Sequence, residues 1–435
     1  MNVSIQPQSI QGTVQIAPSK SVFQRTLAAA LLFNGKTRIE NYGISNDDKA
    51  ALAIIQQLGA TVTIIDETRM EIHSTGFPNE RMQQAFHCGE SGLSFRMFCM
   101  IAATAAKGIQ INAEGTLRDR PLNIVAALLH SLGVRYQDEQ GHFPIQIQGP
   151  LVPQNITIDG SITSQLLTGL LLAYANAPLT EEVTISVQDL KSKPYIDITL
   201  SVIEQFGMNM PVNNDYQTFT FAPGANAQTK TQVQTLVEGD WSNAAFFLVA
   251  AAIGGDITVT GLDVFSTQAD KKILEALQDC GCTLSIRADF IRVRHNTLSP
   301  FQFDATDCPD LFPPLVCLAA CAEGTSVIEG VSRLLHKESN RAQTLQEEMA
   351  RLGILIEIQD DYMLVRGTGI ISGGIIDSRA DHRIAMAGGI MALKASAEVQ
   401  ITHADAVAKS YPNFFEHLNS LCADKIKFEG TISNP

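Results

Sequence analysis

The sequence has no long apolar run, no excess of basic charge and no low-complexity segment. Its apolar stretches extend over roughly 7–12 residues and are rich in Ala and Gly, too short to cross a bilayer. Residues 1–10 carry no Lys or Arg and no apolar core, so neither a signal nor a transit peptide is expected and a cytoplasmic location is. Acidic residues outnumber basic ones, 45 to 31, for a net charge of −14. That balance disfavours nucleic acid or an anionic membrane as the main partner. An anionic substrate would need basic residues concentrated locally. The eight cysteines form no zinc-type pair of pairs, and several fall in apolar helical stretches. Reduced structural thiols are the expected state, with no metal site among them.

The chain is 435 residues long, 45% hydrophobic and 17% charged, enough for two domains with large cores. Its organisation is a repeat. A polar turn, a small-residue apolar helix, a Gly-containing turn and a short strand recur over 19–41, 89–115, 160–188, 239–261, 307–330 and 378–403. The period is roughly seventy residues, longer than common solenoid repeats. The opening helices (27–33, 95–106, 166–175, 244–253, 311–322 and 384–393) are apolar nearly all round, which predicts burial. A second, amphipathic helix follows in each repeat (49–58, 124–132, 198–206, 271–280, 341–352 and 413–421). Several of these end in a Gly stop, as a C-terminal cap requires. Three repeats per domain is the natural division, with 223–234 as the linker between them. The strand before Pro18 could belong to either domain.

Residues 18–25 read Pro-Ser-Lys-Ser-Val-Phe-Gln-Arg and open the first apolar helix. Ser19 or Ser21 suits its N-cap. Free N–H groups, the helix dipole, Lys20 and Arg25 would together make an anion seat there. Charged and hydroxyl residues recur at equivalent turns. Before the inner helices stand Glu90, Ser91 and Arg96; Thr163, Ser164 and Gln165; Asp240; Asp310; His382 and Arg383. Before the outer helices stand Asp47 and Asp48; Arg118, Asp119 and Arg120; Ser192, Lys193 and Tyr195; Gln268 and Asp270; Lys337, Glu338 and Arg341; Lys409. If the inner helices of a domain run parallel, their N-termini share one face. Two such faces across a cleft would suit a small, highly anionic ligand and hinge closure.

At these turns the sequence resembles the 5-enolpyruvylshikimate-3-phosphate (EPSP) synthase family of enolpyruvyl transferases. The motifs are Pro-Ser-Lys-Ser-x-x-x-Arg (18–25), Arg-x-Arg-Pro (118–121), Asp-Gly-Ser-x-x-Ser-Gln (159–165), Ser-Lys-Pro-Tyr-Ile-Asp (192–197), Lys-Glu-Ser-x-Arg (337–341), Asp-His-Arg-x-Ala-Met (381–386) and Val-Ala-Lys-Ser-Tyr-Pro (407–412). They run in order over residues 12–418. The resemblance implies an α/β fold, a two-domain inverted α/β barrel of six βαβαββ-like repeats, three per domain. It implies domains of 1–17 plus 235–435 and 18–234, with the active site in the interdomain cleft. It implies transfer of the enolpyruvyl group of phosphoenolpyruvate to the 5-hydroxyl of shikimate 3-phosphate, by a monomer without metal or organic cofactor.

Carried over by motif, shikimate 3-phosphate falls to Lys20, Ser21, Arg25, Thr163, Ser164, Gln165, Ser192, Tyr195, Asp310, Arg333 and Lys337. Phosphoenolpyruvate falls to Lys20, Gly92, Arg120, Gln165, Arg341, Arg383 and Lys409, with Arg96 and His382 beside it. Adding an alcohol to an enol phosphate needs a base for the hydroxyl proton and an acid for the methylene carbon. Asp310 and Glu338 stand at the carboxylate positions of the family motifs, with Lys20 as proton or charge partner.

Two departures stand out. Residues 90–93 read Glu-Ser-Gly-Leu where the family usually reads Asn-(Ser/Ala)-Gly-Thr, and 163–165 read Thr-Ser-Gln for its Ser-Ser-Gln. The bulk of Leu93 is expected to push Gly92 toward the ligand. An alternative is the related transferase acting on UDP-N-acetylglucosamine, which typically carries a reactive Cys in a loop. Residues 117–121 here are Leu-Arg-Asp-Arg-Pro. A catalytically inactive anion-binding protein is disfavoured by the presence of both Asp310 and Glu338.

Overall fold

A computed structural model describes residues 1–224, 230–335 and 337–429. The chain forms two compact units, one of Met1–Ala17 with Glu238–Pro435 and the other Pro18–Val237. Residues 225–229, inside the stretch expected to link the domains, lie outside the described residues. The rest of that stretch is not all linker: Gln232–Leu236 is a strand. The second crossover therefore follows Val237 rather than residue 234, because this strand completes a sheet of the 18–237 unit.

The described residues contain twelve α-helices: α1 (Lys20–Leu32), α2 (Asn46–Gln57), α3 (Gly92–Ala102), α4 (Asn123–Ser131), α5 (Gln165–Asn176), α6 (Lys193–Phe206), α7 (Trp241–Gly254), α8 (Ile273–Asp279), α9 (Phe312–Cys321), α10 (Arg341–Ala350), α11 (His382–Ala392) and α12 (Phe414–Leu421). The odd-numbered helices are the apolar ones, and they are buried on all sides. In α7, every residue from Trp241 to Ile253 is buried. Within the 18–237 unit α1, α3 and α5 touch one another, and in the other unit α7, α9 and α11 do. Six four-stranded sheets cover these helices, three in each unit.

Each sheet combines one parallel crossover with antiparallel pairs. The strand Ala85–His87 runs through α3 into Gly108–Asn112, its parallel neighbour. After α4, the strands Arg135–Glu139 and His142–Gln148 return antiparallel. That is one βαβαββ repeat. Helix-to-strand connections use left-handed glycines, such as Gly59 at φ +102° and Gly207 at φ +67°. A Cβ would be strained there.

Two strands are exchanged at the crossovers. Ile10–Gln15 leads in sequence to α1 but pairs parallel with Gly255–Thr260 of its own unit. Gln232–Leu236 leads to α7 but pairs parallel with Asn34–Glu40. The sixth sheet is completed by the first and last described strands: Asn2–Ile5 lies antiparallel between Val399–Thr402 and Lys427–Glu429. The strand before Pro18 thus belongs with residues 238–429. Helix boundaries differ from expectation mainly at the starts. Helices α1, α3, α5 and α11 begin at Lys20, Gly92, Gln165 and His382, so these candidate site residues occupy first turns.

Helices α3 and α5 pack so closely at Gly169 that a Cβ there would lie 2.6 Å from the Met97 carbonyl oxygen and 2.9 Å from Met100 Cβ. Ala favours a helix over Gly by about 1 kcal/mol, but overpacking costs about 1–3 kcal/mol. Gly169→Ala is expected to lower the urea midpoint with the m value unchanged. A higher midpoint would show that propensity outweighs this contact.

Candidate active site

In the 18–237 unit the site residues gather at helix openings. Ser19, not Ser21, caps α1, accepting from Val22 N–H at 3.5 Å. Lys20 Nζ lies 2.8 Å from Asp47 Oδ2 at the start of α2. Arg25 is fully buried. Its Nη1 donates to the Ser21 carbonyl at 2.8 Å, and its Nε donates to Thr199 Oγ1 at 3.0 Å. Its Nη2 donates to Thr168 Oγ1 at 3.4 Å, and its guanidinium lies 5.8 Å from the centre of the Tyr195 ring. Among the described residues no carboxylate pairs with Arg25. Burial lowers its pKa to about 10, with Tyr195 opposing. A desolvated cation held by hydroxyls and a carbonyl favours an incoming anion.

Ser91 caps α3. Arg96, one turn on, donates from Nη1 to Gln165 Oε1 at 2.8 Å, joining the first turns of α3 and α5. Thr163 Oγ1 accepts from Gln165 N–H at 3.2 Å, while Ser164 precedes α5 without a capping bond of its own. Gly92 faces two guanidinium groups: a Cβ on it would sit 2.5 Å from Arg120 Nη1 and 3.0 Å from Arg96 Nη1. Leu93 instead belongs to the hydrophobic core of the unit. The crowding at Gly92 therefore comes from these arginines. Ser192 adopts a left-handed conformation at φ +58° before α6, whose first turn holds Pro194 and Tyr195.

The other unit holds the carboxylates. Asp310 lies in a single 3-10 turn, Pro309–Leu311, ahead of α9. It is approached by Arg341 Nη1 at 2.8 Å, Arg383 Nη2 at 3.0 Å and Lys337 Nζ at 3.3 Å. Desolvation works to raise its pKa, but Arg383, Lys337 and Arg341 together outweigh it and hold Asp310 well below the usual carboxylate range. Arg341, 0% exposed, also reaches Glu338 at 2.6 Å and Asp381 at 2.9 Å. Burial weighs against its charge, yet Asp381, Glu338 and Asp310 keep it firmly protonated.

Asp381 accepts from the Arg383 N–H at 3.0 Å, so one buried carboxylate caps α11 and also orients Arg341. His382 Nδ1 is 3.9 Å from Asp381 Oδ1. Arg333 lies in the turn Val331–Leu334, where burial lowers its pKa against the pull of Asp307, Asp361 and Asp310. Lys409 is buried at the end of the turn Ala404–Lys409. Among the described residues no group of three or more His, Cys, Asp or Glu is arranged to hold a metal ion.

Several partners carried no assigned role in the sequence reading. Asp47 holds Lys20, and Asp381 organises Arg341. Asp270 accepts a short hydrogen bond from Ser242, and burial, with Asp310 nearby, raises its pKa to about 6. The Ser-x-x-Asp box at 45–48 is a signal that could have marked α2: Ser45 and Asp48 cap each other reciprocally.

Six βαβαββ repeats, with cations gathered at the openings of buried apolar helices, define an enolpyruvyl transferase of the two-domain inverted α/β barrel type. The chain belongs to the EPSP synthase (3-phosphoshikimate 1-carboxyvinyltransferase) family, whose pattern it matches over residues 5–418. It is 34% identical over 420 residues to the 3-phosphoshikimate 1-carboxyvinyltransferase of Clostridium kluyveri, covering 96% of this chain and 97% of that one. It is 34% identical over 430 residues to the enzyme of that name from Vibrio atlanticus, covering 97% and 99%. The solved EPSP synthase of Acinetobacter baumannii is similar with a TM-score of 0.81 at 25% identity, covering 98% and 99%. The enolpyruvyl transferase NikO of Streptomyces tendae, at 17% identity and TM-score 0.78 over 98% of each chain, shares the fold.

Asp48 provides a pH test. Burial raises its pKa from 3.8 to about 7, against its hydrogen bonds with Ser45 and the nearby Lys20 charge. The folded chain then holds this proton more tightly than the unfolded chain. Its contribution to stability is full below about pH 4 and is lost as pH rises through about 7. Asp48→Asn keeps an acceptor for Ser45 and removes the titration. Relative to wild type, the variant is expected to gain on the order of 3 kcal/mol between pH 4.5 and 8. Urea titrations across that range would read this gain, and parallel pH profiles would contradict it.

Proposed function

We propose that the chain transfers the enolpyruvyl (carboxyvinyl) group of phosphoenolpyruvate to the 5-hydroxyl of shikimate 3-phosphate, releasing inorganic phosphate, on the shikimate route to chorismate and aromatic amino acids. The observation that carries this reading is the ionised Asp310 set among Lys337, Arg341 and Arg383 in a chain of this family. Arg383 Nη1 is buried and makes no hydrogen bond among the described residues, so it can take a ligand oxygen. The buried Arg25, held by hydroxyls and a carbonyl, supports the same reading for the other anionic substrate.

In this proposal Lys20, Ser21, Arg25, Thr163, Ser164, Gln165, Ser192, Tyr195, Asp310, Arg333 and Lys337 hold shikimate 3-phosphate. Lys20, Gly92, Arg96, Arg120, Gln165, Arg341, His382, Arg383 and Lys409 serve phosphoenolpyruvate. Both sets act on one reaction. Asp310 takes the 5-hydroxyl proton as the new C–O bond forms, and Glu338 delivers a proton to the methylene carbon. Loss of phosphate then returns a proton from that methyl group to Glu338, and the proton taken up by Asp310 leaves on the phosphate, which restores both carboxyl groups. In the free protein Asp310 is a weak base because three cations stabilise its charge. Anionic substrate oxygens compete for those cations and raise its proton affinity when the ligands arrive. Lys20, paired with Asp47, supplies positive charge to the reacting phosphate.

We further propose a cytoplasmic monomer; no helix of the described residues is long and apolar enough to cross a membrane. The UDP-N-acetylglucosamine reaction is not favoured, because family membership and the Cys-free turn at 117–121 both point to the shikimate substrate.

Phosphate release from phosphoenolpyruvate is expected with shikimate 3-phosphate and not with UDP-N-acetylglucosamine; the reverse pattern would refute the proposal. Asp310→Asn and Glu338→Gln preserve size and are expected to lower kcat by about 10²–10⁴. Calorimetric titration should show shikimate 3-phosphate binding largely retained. Variants that keep normal turnover and lose only affinity would remove these carboxylates from the acid–base roles.

A further inference from the structure

Glu90 immediately precedes Ser91, the cap of α3. Its carboxylate turns onto the segment that precedes Arg120. Glu90 Oε2 accepts from both the Thr116 N–H and the Thr116 hydroxyl, each at 3.0 Å. Thr116 lies in the 3-10 turn Gly115–Asp119, whose preceding residue, Glu114, makes no side-chain cap. The turn's early N–H groups therefore need an acceptor from elsewhere, and Glu90 provides one. Gly115, at φ +51°, leaves the space that the Glu90 carboxylate occupies; a Cβ there would collide with it. The backbone on either side is also tied, with Glu114 N–H donating to the Gly89 carbonyl at 3.0 Å. Arg120 closes the turn through its N–H to the Leu117 carbonyl at 3.2 Å, and its guanidinium packs against Gly92. Gly92 is two residues after Glu90.

We infer that Glu90 is a positioning residue: its carboxylate caps the 115–119 turn from outside and thereby sets the Arg120 guanidinium beside Gly92. The inference deepens the proposed function, because it rests on Arg120 as a phosphoenolpyruvate ligand. Glu90 itself touches no substrate in this scheme. What matters is an acceptor at the right reach. Gln offers an amide oxygen at the same distance along the side chain, and Ala offers none.

The test combines amide hydrogen exchange of residues 113–121 in the free protein with steady-state kinetics. Glu90→Ala is expected to speed exchange at Thr116 and Leu117 by about tenfold, the effect of losing the acceptor of this hydrogen bond. It should raise the KM for phosphoenolpyruvate by about tenfold while leaving that for shikimate 3-phosphate unchanged. Glu90→Gln is expected to restore both readouts to near wild type. Thr116→Val, which removes the hydroxyl donor and keeps the N–H, should shift both readouts in the same direction by a smaller amount. Unchanged exchange in Glu90→Ala would overturn the inference. So would a Glu90→Gln variant as impaired as Glu90→Ala, since charge rather than an acceptor would then be the requirement. If the wild-type protein shows no transfer to shikimate 3-phosphate, the functional proposal fails, and the exchange measurement still decides whether Glu90 holds the turn.

Discussion

A helix with no polar face must be covered on every side, and its termini are where charge can stand. Both units obey this constraint three times. The middle turns of α1, α3, α5, α7, α9 and α11 pack against one another or under sheets, and the first turns carry the capping residues, Ser19, Ser91, Asp240 and Asp381 among them. Unpaired N–H groups and the dipole at those turns favour negative charge. Lys20, Arg96 and Arg383 sit where the dipole is unfavourable to a cation. Each is balanced by a carboxylate or an amide oxygen brought from a neighbouring element. The covering of apolar helices thus dictates where polar chemistry can occur.

Arg341 shows how this balance is kept in the 238–429 segment. One buried guanidinium engages Asp381, Glu338 and Asp310, which reach it from three different loops. Removing a single partner of such a cluster leaves buried charge uncompensated, a far larger penalty than losing a surface pair. Asp381 is fixed twice, by Arg341 and by the first turn of α11, so it acts as a stay. Asp310, though approached by three cations, and Glu338 stay partly exposed, whereas Asp381 is fully buried. They are the carboxylates a substrate can draw into proton transfer. The network is rigid where it supports the fold and more accessible where the chemistry is proposed.

Much of the fold was readable from local pattern. Apolar periodicity without a polar face marked the inner helices, and glycines such as Gly59 and Gly207 marked the stops, because these features reflect burial and backbone strain within a few residues. Strand exchange was not readable. Ile10–Gln15 and Gln232–Leu236 each precede a helix of one unit and pair with a strand of the other, and nothing local to either strand encodes that choice. Ser19 and Ser21 were equal candidates for the cap of α1 until backbone geometry separated them. Leu93 could be read as a bulky neighbour of the ligand, but the helix turns its side chain into the core.

By itself, the sequence determined the repeat, the class of secondary structure, the burial of the apolar helices and the family motifs. These depend on residue type and short-range spacing. Tertiary structure decided which side chains balance one another. Asp47 with Lys20, Asp381 with Arg341 and Glu90 with Thr116 are pairings between turns distant in sequence. Their energies depend on desolvation and on separations of a few ångströms. Long-range packing sets both quantities, and residue identity alone cannot.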